Sequence, residues 1–234
     1  MPDHASTADR ARTADRARTA AARPALPAPI VEGRVIAIAR RLEPTRLPAV
    51  AEALAANGIR VFEVTIDSPG AVESIRALAE GPLAERLLVG AGTLLSVGEA
   101  EAAVAAGARF LVTPHLDPEL IGWAAERGIP ILPGAFTPTE IVTAWRAGAA
   151  AVKLFPASVA GPAFIRDFRG PFPDIPLIPT GGVSVENAAD FLRAGAVAVG
   201  LGSWLTGAGD PAEVGRRAAA VAEVVAGVVR RAAV

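Results

Sequence analysis

The sequence of 234 residues contains no cysteine. This absence excludes disulfide scaffolds, thiolate metal sites and cysteine nucleophiles. Histidine occurs only twice, at His4 and His115, so no histidine cluster is available to bind a metal. Lysine occurs once, at Lys153, although lysine and arginine together number 23. We therefore expect no metal site, and Lys153 is the one side-chain amine available for chemistry.

A lysine has chemistry that an arginine lacks. Its primary amine can lose a proton and condense with a carbonyl group, whereas a guanidinium stays charged at every relevant pH. A genome biased toward arginine codons would replace lysine wherever any cation suffices, which makes the remaining lysine a candidate nucleophile. The alternative is a chance surface lysine, and the position of Lys153 in the fold decides between the two.

Net charge and hydropathy limit the possible partners. The net charge is −1 at pH 7, so no strong field favours nucleic acid or anionic lipid. The mean hydropathy of +0.40 is due mainly to alanine. The apolar run Ala218–Val229 is interrupted by Glu223 and Gly227 and is too short to span a bilayer. These features predict a soluble, cytoplasmic protein whose partners are small molecules, with no nucleic-acid or membrane binding.

The chain divides into two regions. Residues 1–30 are predicted to be a low-complexity, disordered tail, because the motif Thr-Ala-Asp-Arg-Ala-Arg repeats within residues 6–20 and a proline-rich stretch, Arg23–Pro29, follows. The tail lacks the apolar segment of a secretory signal. Residues 31–234 are predicted to form one domain with a C-terminal helix.

From residue 33 onward, short apolar runs alternate with alanine-rich helical patterns. The eight predicted strands are Val35–Ala39, Arg60–Thr65, Leu87–Gly90, Arg109–Val112, Pro130–Leu132, Ala150–Leu154, Pro176–Ile178 and Ala196–Gly200. Five helices end in a glycine suited to a left-handed C-cap: Gly58, Gly107, Gly128, Gly148 and Gly195. This alternation predicts an α/β fold with a parallel sheet, and the chain length favours closure into a single (β/α)8 TIM barrel. An open doubly wound sheet is the alternative. The last helix, about Pro211–Arg231, would pack outside.

In a barrel, functional residues collect at the carboxyl ends of the strands. Glu63 lies near that end of the second predicted strand, and Lys153 occupies an equivalent place in the sixth. Period-two alternation puts Val61, Glu63 and Thr65 on one face, and if this face is interior, burial raises the pKa of Glu63. Desolvation would also favour the uncharged, nucleophilic amine of Lys153. The alternative is a buried salt bridge between the two side chains.

Two glycine-rich turns follow the seventh and eighth predicted strands. One contains Gly181 and Gly182, and the other contains Gly202 and Ser203. The loops after these strands are the usual phosphate site of a barrel, because exposed backbone N–H groups meet a helix N-terminus there. Ser184 suits the N-cap of that helix. The alternative is that the glycines only form tight turns.

Other polar residues close the remaining strands. Arg40 follows the first strand and could bind a carboxylate through two hydrogen bonds. Thr93 offers a hydroxyl after the third strand. His115 follows the fourth strand, where we expect an exposed loop histidine rather than a catalytic one.

Five segments together resemble the 2-dehydro-3-deoxy-phosphogluconate / 4-hydroxy-2-oxoglutarate aldolase family, whose members are class I, Schiff-base enzymes. The segments are Glu63–Thr65, Gly90–Thr93, Lys153–Ala157, Pro179–Gly182 and Gly202–Leu205, in order along the chain. The resemblance covers the whole predicted barrel. It implies a homotrimer of (β/α)8 barrels that needs no cofactor and no metal.

The resemblance also assigns roles to individual residues. It implies that Lys153 forms the Schiff base and that Glu63 shuttles protons. The implied substrate-binding residues are Arg40 and Thr93 at the pyruvate carboxylate, Pro114, Phe155 and Thr180 along the pocket, and Gly181, Gly182, Gly202 and Ser203 at the phosphate. The implied reaction is reversible cleavage of 2-dehydro-3-deoxy-6-phosphogluconate or 4-hydroxy-2-oxoglutarate to pyruvate and an aldehyde, which is glyceraldehyde 3-phosphate or glyoxylate.

One position departs from part of the family. Some members carry an arginine where this chain has Asp67. The substrate therefore stays open among the phosphogluconate-derived acid, the phosphogalactonate-derived acid and 4-hydroxy-2-oxoglutarate. Two other functions remain as alternatives. A phosphate-binding barrel isomerase or synthase, such as a relative of thiamine-phosphate synthase, would share the glycine turns without needing the amine, and an inactive barrel could serve as an oligomeric scaffold.

Overall fold

A computed structural model describes residues 23–207 and 209–232. Within these ranges the strands are β1 (Val35–Ala39), β2 (Val61–Thr65), β3 (Leu88–Gly92), β4 (Leu111–Val112), β5 (Ile131–Leu132), β6 (Gly134–Ala135), β7 (Val152–Leu154), β8 (Leu177–Pro179) and β9 (Val199–Leu201). The helices are α1 (Ala28–Gly33), α2 (Leu47–Ala56), α3 (Ala71–Glu80), α4 (Val97–Ala105), α5 (Pro118–Glu126), α6 (Pro138–Ala147), α7 (Ala157–Arg169), α8 (Val185–Arg193), α9 (Ser203–Thr206) and α10 (Pro211–Ala232).

The described strands form a curled parallel sheet in two sections. One section has the strand order β5-β4-β3-β2-β1-β9 and the other has the order β6-β7-β8. A parallel bridge between Thr180 and Gly200 joins β8 to β9. On the other side, the backbone N–H of Lys153 donates to the carbonyl of Pro133, between β5 and β6, at 2.9 Å. The predicted α/β fold with a parallel sheet is confirmed.

The fifth predicted strand is longer than expected and appears as two short strands. The extended segment covers residues 131–135 and so continues beyond the predicted end at Leu132. Pro133 separates β5 from β6. Proline has no N–H group to donate to a ladder, so regular pairing is interrupted at that residue. Sequence periodicity predicted eight strands, and the described residues contain nine because of this one proline.

Alternation along the strands separates the buried apolar side chains into two clusters. Val35, Ala37 and Ala39 belong to the larger cluster, which also contains the buried faces of the helices. Ile36 and Ile38 belong to the smaller cluster, which is built mainly from strand residues and therefore lies inside the curl. Both faces of the sheet are thus covered, as a parallel sheet requires.

Part of the predicted tail belongs to the folded region, so the predicted boundary at residue 30 is too late. The Arg23 guanidinium lies 3.4 Å from the Trp145 ring centroid and donates a hydrogen bond to the Trp145 carbonyl at 2.7 Å. Ile30, in α1, is fully buried in the inner cluster, and Leu26 packs against that cluster. The proline-rich composition of this segment does not reveal that Arg23 contacts an aromatic residue 122 positions further along the chain. Residues 1–22 lie outside the described residues.

The predicted helix ends are confirmed at all five glycines. Their φ angles are 81° at Gly58, 102° at Gly107, 67° at Gly128, 111° at Gly148 and 106° at Gly195. The predicted C-terminal helix is also present as α10, which packs against α2 and α8. None of the helices in the described ranges is long and apolar enough to cross a membrane.

Candidate active site

A cavity of about 580 Å³ opens at the carboxyl ends of the strands. Its walls come from the residues that end or follow β1, β2, β3, β7, β8 and β9, because parallel strands bring their carboxyl ends to one side of the sheet. The lining residues are Ile38, Arg40, Arg41, Glu63, Thr65, Thr93, Lys153, Phe155, Thr180, Gly181, Gly182, Val183, Ser184, Gly202, Ser203, Trp204, Thr206 and Gly207.

Lys153 stands in β7 and its side chain reaches the cavity. The residue is 8% exposed, so it is not a chance surface lysine. Its Nζ lies 5.3 Å from the centroid of the Phe155 ring. Neither Lys153 nor Glu63 belongs to an ion pair among the residues described. The alternative of a direct Lys–Glu salt bridge is therefore wrong, and the amine is left without a carboxylate partner.

Glu63 stands in β2 and is 2% exposed. Val61 is in the inner cluster whereas Phe62 and Val64 are in the outer one, which places Glu63 on the inner face as predicted. Its Oε1 is buried and has no hydrogen-bond partner within the described residues. Burial raises the pKa of Glu63, and the positive charges of Lys153 and Arg40 act in the opposite direction. The carboxylate is thus prepared to accept a proton from a group bound in the cavity.

Two glycines make room for polar side chains of the site. A methyl group on Gly92 would overlap the carboxylate of Glu63. A methyl group on Gly200 would overlap the hydroxyl of Thr180. Gly92 is followed by Thr93, whose φ of 61° is in the left-handed region. Gly92 therefore leaves room for the Glu63 side chain from the neighbouring strand β2, whereas Gly90 leaves room for the ring of Phe110.

The loops after β1 and β2 are joined at the cavity rim. The Arg40 side chain donates a hydrogen bond to Asp67 Oδ2 at 3.3 Å, and Arg41 Nε lies 3.5 Å from the same oxygen. The backbone N–H of Arg41 donates to Ser68 Oγ at 2.8 Å. Ser68 Oγ also lies 3.0 Å from Thr65 Oγ1. Asp67 therefore lies between two guanidinium groups that both line the cavity.

The two glycine turns line the cavity after β8 and β9, and the turn after β9 is next to the loop after β1 because these two strands pair. Gly181 and Gly182 have φ angles of 89° and 78°, values that disfavour a side chain. A Cβ on Gly182 would also lie only 2.6 Å from Ser158 Cβ. Ser184 precedes α8 as predicted, and its backbone N–H donates to Asn187 Oδ1 at 2.9 Å. Gly202 differs, since a Cβ there would meet nothing closer than Ile38 at 4.0 Å.

The structure brings ten of the eleven predicted site residues to one cavity. The exception is Pro114, which does not line it and instead packs so closely against Gly134 that a side chain there would overlap the Pro114 carbonyl. His115 is exposed, as expected for a loop histidine. Within the described ranges no three His, Asp or Glu side chains cluster as metal ligands would.

Sequence reasoning missed several lining residues. Arg41 is not among the site residues predicted from the sequence, yet it lines the cavity and pairs with Asp67. Trp204 and Thr206 enter the wall from α9, directly after the predicted Gly202–Ser203 turn. Thr206 donates to the Ile38 carbonyl at 2.5 Å and so ties α9 to β1. The sequence does contain a signal for Trp204 and Thr206, because both follow closely after the predicted binding turn.

Comparison with known proteins identifies the family. The sequence profile described as KDPG and KHG aldolase matches residues 28–216. The chain belongs to the KDPG and KHG aldolase family. KDPG is 2-dehydro-3-deoxy-phosphogluconate and KHG is 4-hydroxy-2-oxoglutarate, so the predicted family is confirmed.

Three relatives show how close the similarity is. The 2-dehydro-3-deoxy-phosphogluconate aldolase of Pseudomonas aeruginosa is 44% identical over 159 residues, covering 67% of this chain and 70% of that protein. The probable 2-dehydro-3-deoxy-6-phosphogalactonate aldolase of Rhizobium meliloti is 39% identical over 181 residues, covering 77% and 85%. A solved native KDPGal structure has a TM-score of 0.80 and 34% identity, covering 84% of this chain and 96% of its own. The first two relatives are named aldolases, which are carbon–carbon lyases.

The contact between Gly92 and Glu63 gives a first prediction, on stability. Gly92→Ala should lower the free energy of unfolding by about 2 kcal/mol, because the added methyl group meets a buried carboxylate. In a Glu63→Ala background the same change should cost less than about 0.5 kcal/mol, since the overlapped atoms are gone. Urea unfolding of the four proteins measures this coupling.

Gly98→Ala is the matched control for this cycle. Gly98 is exposed in α4, and a Cβ there would meet no atom within 4 Å. The control should show the same small effect in both backgrounds. Equal costs of Gly92→Ala with and without the Glu63 carboxylate would show that Gly92 does not serve to accommodate it.

Proposed function

We propose that this chain is a class I aldolase that reversibly cleaves 2-dehydro-3-deoxy-6-phosphogluconate to pyruvate and glyceraldehyde 3-phosphate through a Schiff base on Lys153. The observation that carries the proposal is that the one lysine is buried in the same cavity as the unpartnered Glu63 carboxylate and is not ion-paired with it. Relatives named for the phosphogluconate-derived and the phosphogalactonate-derived acid make the second acid the alternative substrate.

The first half of the reaction forms the imine. The uncharged Lys153 amine attacks the C2 ketone, and loss of water from the resulting carbinolamine gives a positively charged iminium. The Glu63 carboxylate then accepts the proton of the C4 hydroxyl, directly or through water, and the C3–C4 bond breaks. The electron pair of the broken C3–C4 bond forms the C2–C3 double bond, while the π electrons of the iminium move to nitrogen.

The second half returns the enzyme to its starting state. The aldehyde leaves with a carbonyl at the former C4, and an enamine stays on Lys153. Glu63 then donates its proton to C3, and this step restores the iminium. Water then adds at C2 and releases pyruvate and the free amine. The iminium supplies the electron sink, so this route needs no cofactor and no metal.

The walls of the cavity suit the two anionic ends of the substrate. Arg40 and Thr93 are proposed to bind the pyruvate carboxylate, with Phe155 and Thr180 lining the space beside the imine. The backbone N–H groups at Gly181, Gly182, Gly202 and Ser203 are proposed to receive the phosphate. Pro114 is then a support for Gly134 rather than a substrate contact.

The curled sheet is further proposed to be a closed (β/α)8 barrel, with β5 and β6 counted as one strand. The hydrogen bond from the Lys153 N–H to the Pro133 carbonyl and the bridge between Thr180 and Gly200 support closure at the two junctions. A cytoplasmic location remains a prediction from the sequence.

Trapping the imine tests the central step. Incubation with pyruvate and borohydride should add one reduced pyruvate unit to Lys153, which intact mass and a peptide map detect. Lys153→Arg keeps the charge but should give no adduct and no turnover, because a guanidinium cannot form the imine.

Arg127→Lys is the matched control for this reaction. It introduces an exposed lysine on the surface, since the Arg127 side chain is 47% exposed. This lysine should remain largely unlabelled, and the peptide map separates labelling of the N-terminal amine. A folded wild-type protein without an adduct on Lys153 would exclude the Schiff-base mechanism.

Glu63→Gln tests the proton shuttle. Turnover should fall by about 10²- to 10⁴-fold, while the borohydride adduct on Lys153 is retained. The wild-type rate should rise as pH increases through the pKa of Glu63, because the base acts only when ionised. Because burial raises the pKa of Glu63, this rise should occur at a higher pH than it would for an ordinary glutamate. The Gln variant should lose this limb of the pH profile.

A Glu→Gln change outside the cavity serves as the control. Glu126 has a side chain that is 80% exposed, and Glu126→Gln should leave both turnover and the pH profile unchanged. An unchanged acid limb in Glu63→Gln would assign the proton transfer to another group.

The homotrimer implied by the family resemblance is also proposed. Its support in the structure is a set of exposed large apolar side chains beside the cavity end of the sheet. Leu95 follows β3 and is 58% exposed, Phe136 follows β6 and is 37% exposed, and Val159, in α7 after β7, is 70% exposed. Apolar side chains of this size at one end of a domain suit an interface between copies.

Light scattering during gel filtration tests the trimer. The wild-type mass should be three times that of one chain, and Val159→Glu should shift it toward the monomer, because a buried unpaired charge is costly at an interface. Val229→Glu changes the same residue type on α10, where Val229 is 41% exposed, and should leave the mass unchanged. A wild-type protein with the mass of one chain would contradict the proposal.

A further inference from the structure

Phe155 places an aromatic ring close to the side-chain nitrogen of Lys153. Lys153 Nζ lies over the Phe155 ring, 5.3 Å from its centroid. Both residues line the cavity. The face of an aromatic ring carries partial negative charge and attracts a cation that lies within about 6 Å of the centroid. The distance is therefore within the range of a cation–π interaction.

The position of the Phe155 ring is defined by the two strands that flank β7. Phe155 follows β7 directly, and its N–H donates to the carbonyl of Ala135 in β6 at 3.0 Å. Two residues further on, the N–H of Ala157 donates to the carbonyl of Thr180, after β8, at 2.8 Å. A Cβ on Gly181 would lie only 3.0 Å from Phe155 Cε2, so the glycine leaves room for the ring.

The nitrogen of Lys153 carries a positive charge during the proposed reaction. The neutral amine, the ketone and one proton give the iminium and one water molecule, so a cation forms on a residue that is 8% exposed. Lys153 belongs to no ion pair in the described part of the chain. A buried cation without a counter-ion is costly. An aromatic ring can reduce this cost and still leave the amine free to react.

On the basis of the aldolase function proposed above, we propose that the Phe155 ring stabilises the iminium on Lys153 through a cation–π interaction, in addition to lining the pocket. The charged nitrogen of the iminium is the Lys153 Nζ atom itself. Its distance from the ring therefore does not depend on where the rest of the substrate lies. The competing role for the ring is packing that excludes water, and this role makes no use of the negative ring face.

Fluorination of the ring separates the two roles, because it withdraws electron density from the ring face and changes the shape little. Phe155 is replaced by 4-fluoro-, 3,5-difluoro- or 3,4,5-trifluorophenylalanine, and the pyruvate concentration that gives half-maximal borohydride labelling of Lys153 is measured. This concentration should rise with each fluorine, to about fivefold with three, the effect of one partly exposed cation–π contact. Fluorinated rings are more apolar than the native ring, so a packing role predicts no rise.

The effect of fluorination should also depend on pH in a defined direction. At alkaline pH the free enzyme holds a neutral amine, so the ring stabilises only the iminium and fluorination has its full effect. As the pH falls, the free amine becomes an ammonium group, the ring stabilises a cation in both states, and the effect should decrease. Glu63, Arg40 and Arg41 also line the cavity. They are the same in every variant, so their charges cancel in the ratio to wild type at each pH.

Phe172 provides the matched control for the fluorinated series. It is partly buried, its ring centroid lies 4.9 Å from that of Phe168, and it does not line the cavity. The same replacements at Phe172 should leave the half-maximal pyruvate concentration unchanged. Phe155→Leu keeps an apolar side chain and removes the aromatic face, so it should raise this concentration by about fivefold, as the trifluorinated ring does.

The outcomes distinguish failure of this role from failure of the proposed function. An unchanged or lower pyruvate requirement across the fluorinated series at alkaline pH would overturn the cation–π role, and a rise confined to Phe155→Leu would assign the ring to packing alone. In both cases an adduct on Lys153 of the wild type would leave the aldolase function supported. Folded wild-type protein that forms no adduct would reject that function and the role of Phe155 with it.

Discussion

The active-site cavity depends on one electrostatic constraint, which is that an amine and a carboxylate are buried together without forming an ion pair. Withdrawing either charge from water costs several kcal/mol, of order 3–5 kcal/mol when a partner is missing. A direct ion pair between Lys153 and Glu63 would stabilise both charges, but it would leave neither group free to react with a bound molecule. Their separation leaves the amine without a carboxylate partner and one carboxylate oxygen without a hydrogen bond, as the proposed mechanism requires. The apolar clusters on both faces of the sheet stabilise the fold that holds them apart.

This constraint extends into the backbone around the two side chains. Glu63 crosses the neighbouring strand at Gly92, where no side chain would fit. The backbone N–H of Lys153 donates a hydrogen bond to the carbonyl of Pro133, the residue that separates β5 from β6. The irregular points of the sheet are therefore found where its strands carry reactive groups. At the rim the charges are paired instead, because Asp67 forms ion pairs with both Arg40 and Arg41.

Much of this arrangement could be predicted from the sequence, because its signals are local. Alternation along a strand fixed the face of Glu63, and a glycine at each of five helix ends marked a left-handed residue that the structure contains. The position of Lys153 in an apolar run similarly predicted burial. Parallel pairing then brings strand ends together, so residues far apart in the chain could be assigned to one cavity without knowledge of their distances.

The remainder depends on contacts between distant residues, which a single sequence does not display. The pairing of Arg23 with Trp145 placed residues 23–30 in the fold, although their composition is that of a tail. Arg41 resembles any solvated arginine until Asp67 is seen beside it. Pro114 matched the family pattern, yet the cavity wall does not include it. The alternative of a Lys–Glu ion pair could not be excluded from the sequence, since spacing gives the strand of each residue but not the distance between side-chain ends.

The packing beneath the cavity has a consequence for the order of events in a catalytic cycle. Ile30 and the inner side chains of the strands fill the space on the amino-terminal side of Lys153, so the cavity described here is blind at that end. With the Schiff base proposed on Lys153, the keto acid would occupy the deepest position and the aldehyde would lie between it and solvent. Cleavage would then release the aldehyde first and pyruvate last, and synthesis would require pyruvate to enter before the aldehyde. The proposed mechanism therefore implies an ordered reaction in which both partners use the same opening of the described cavity.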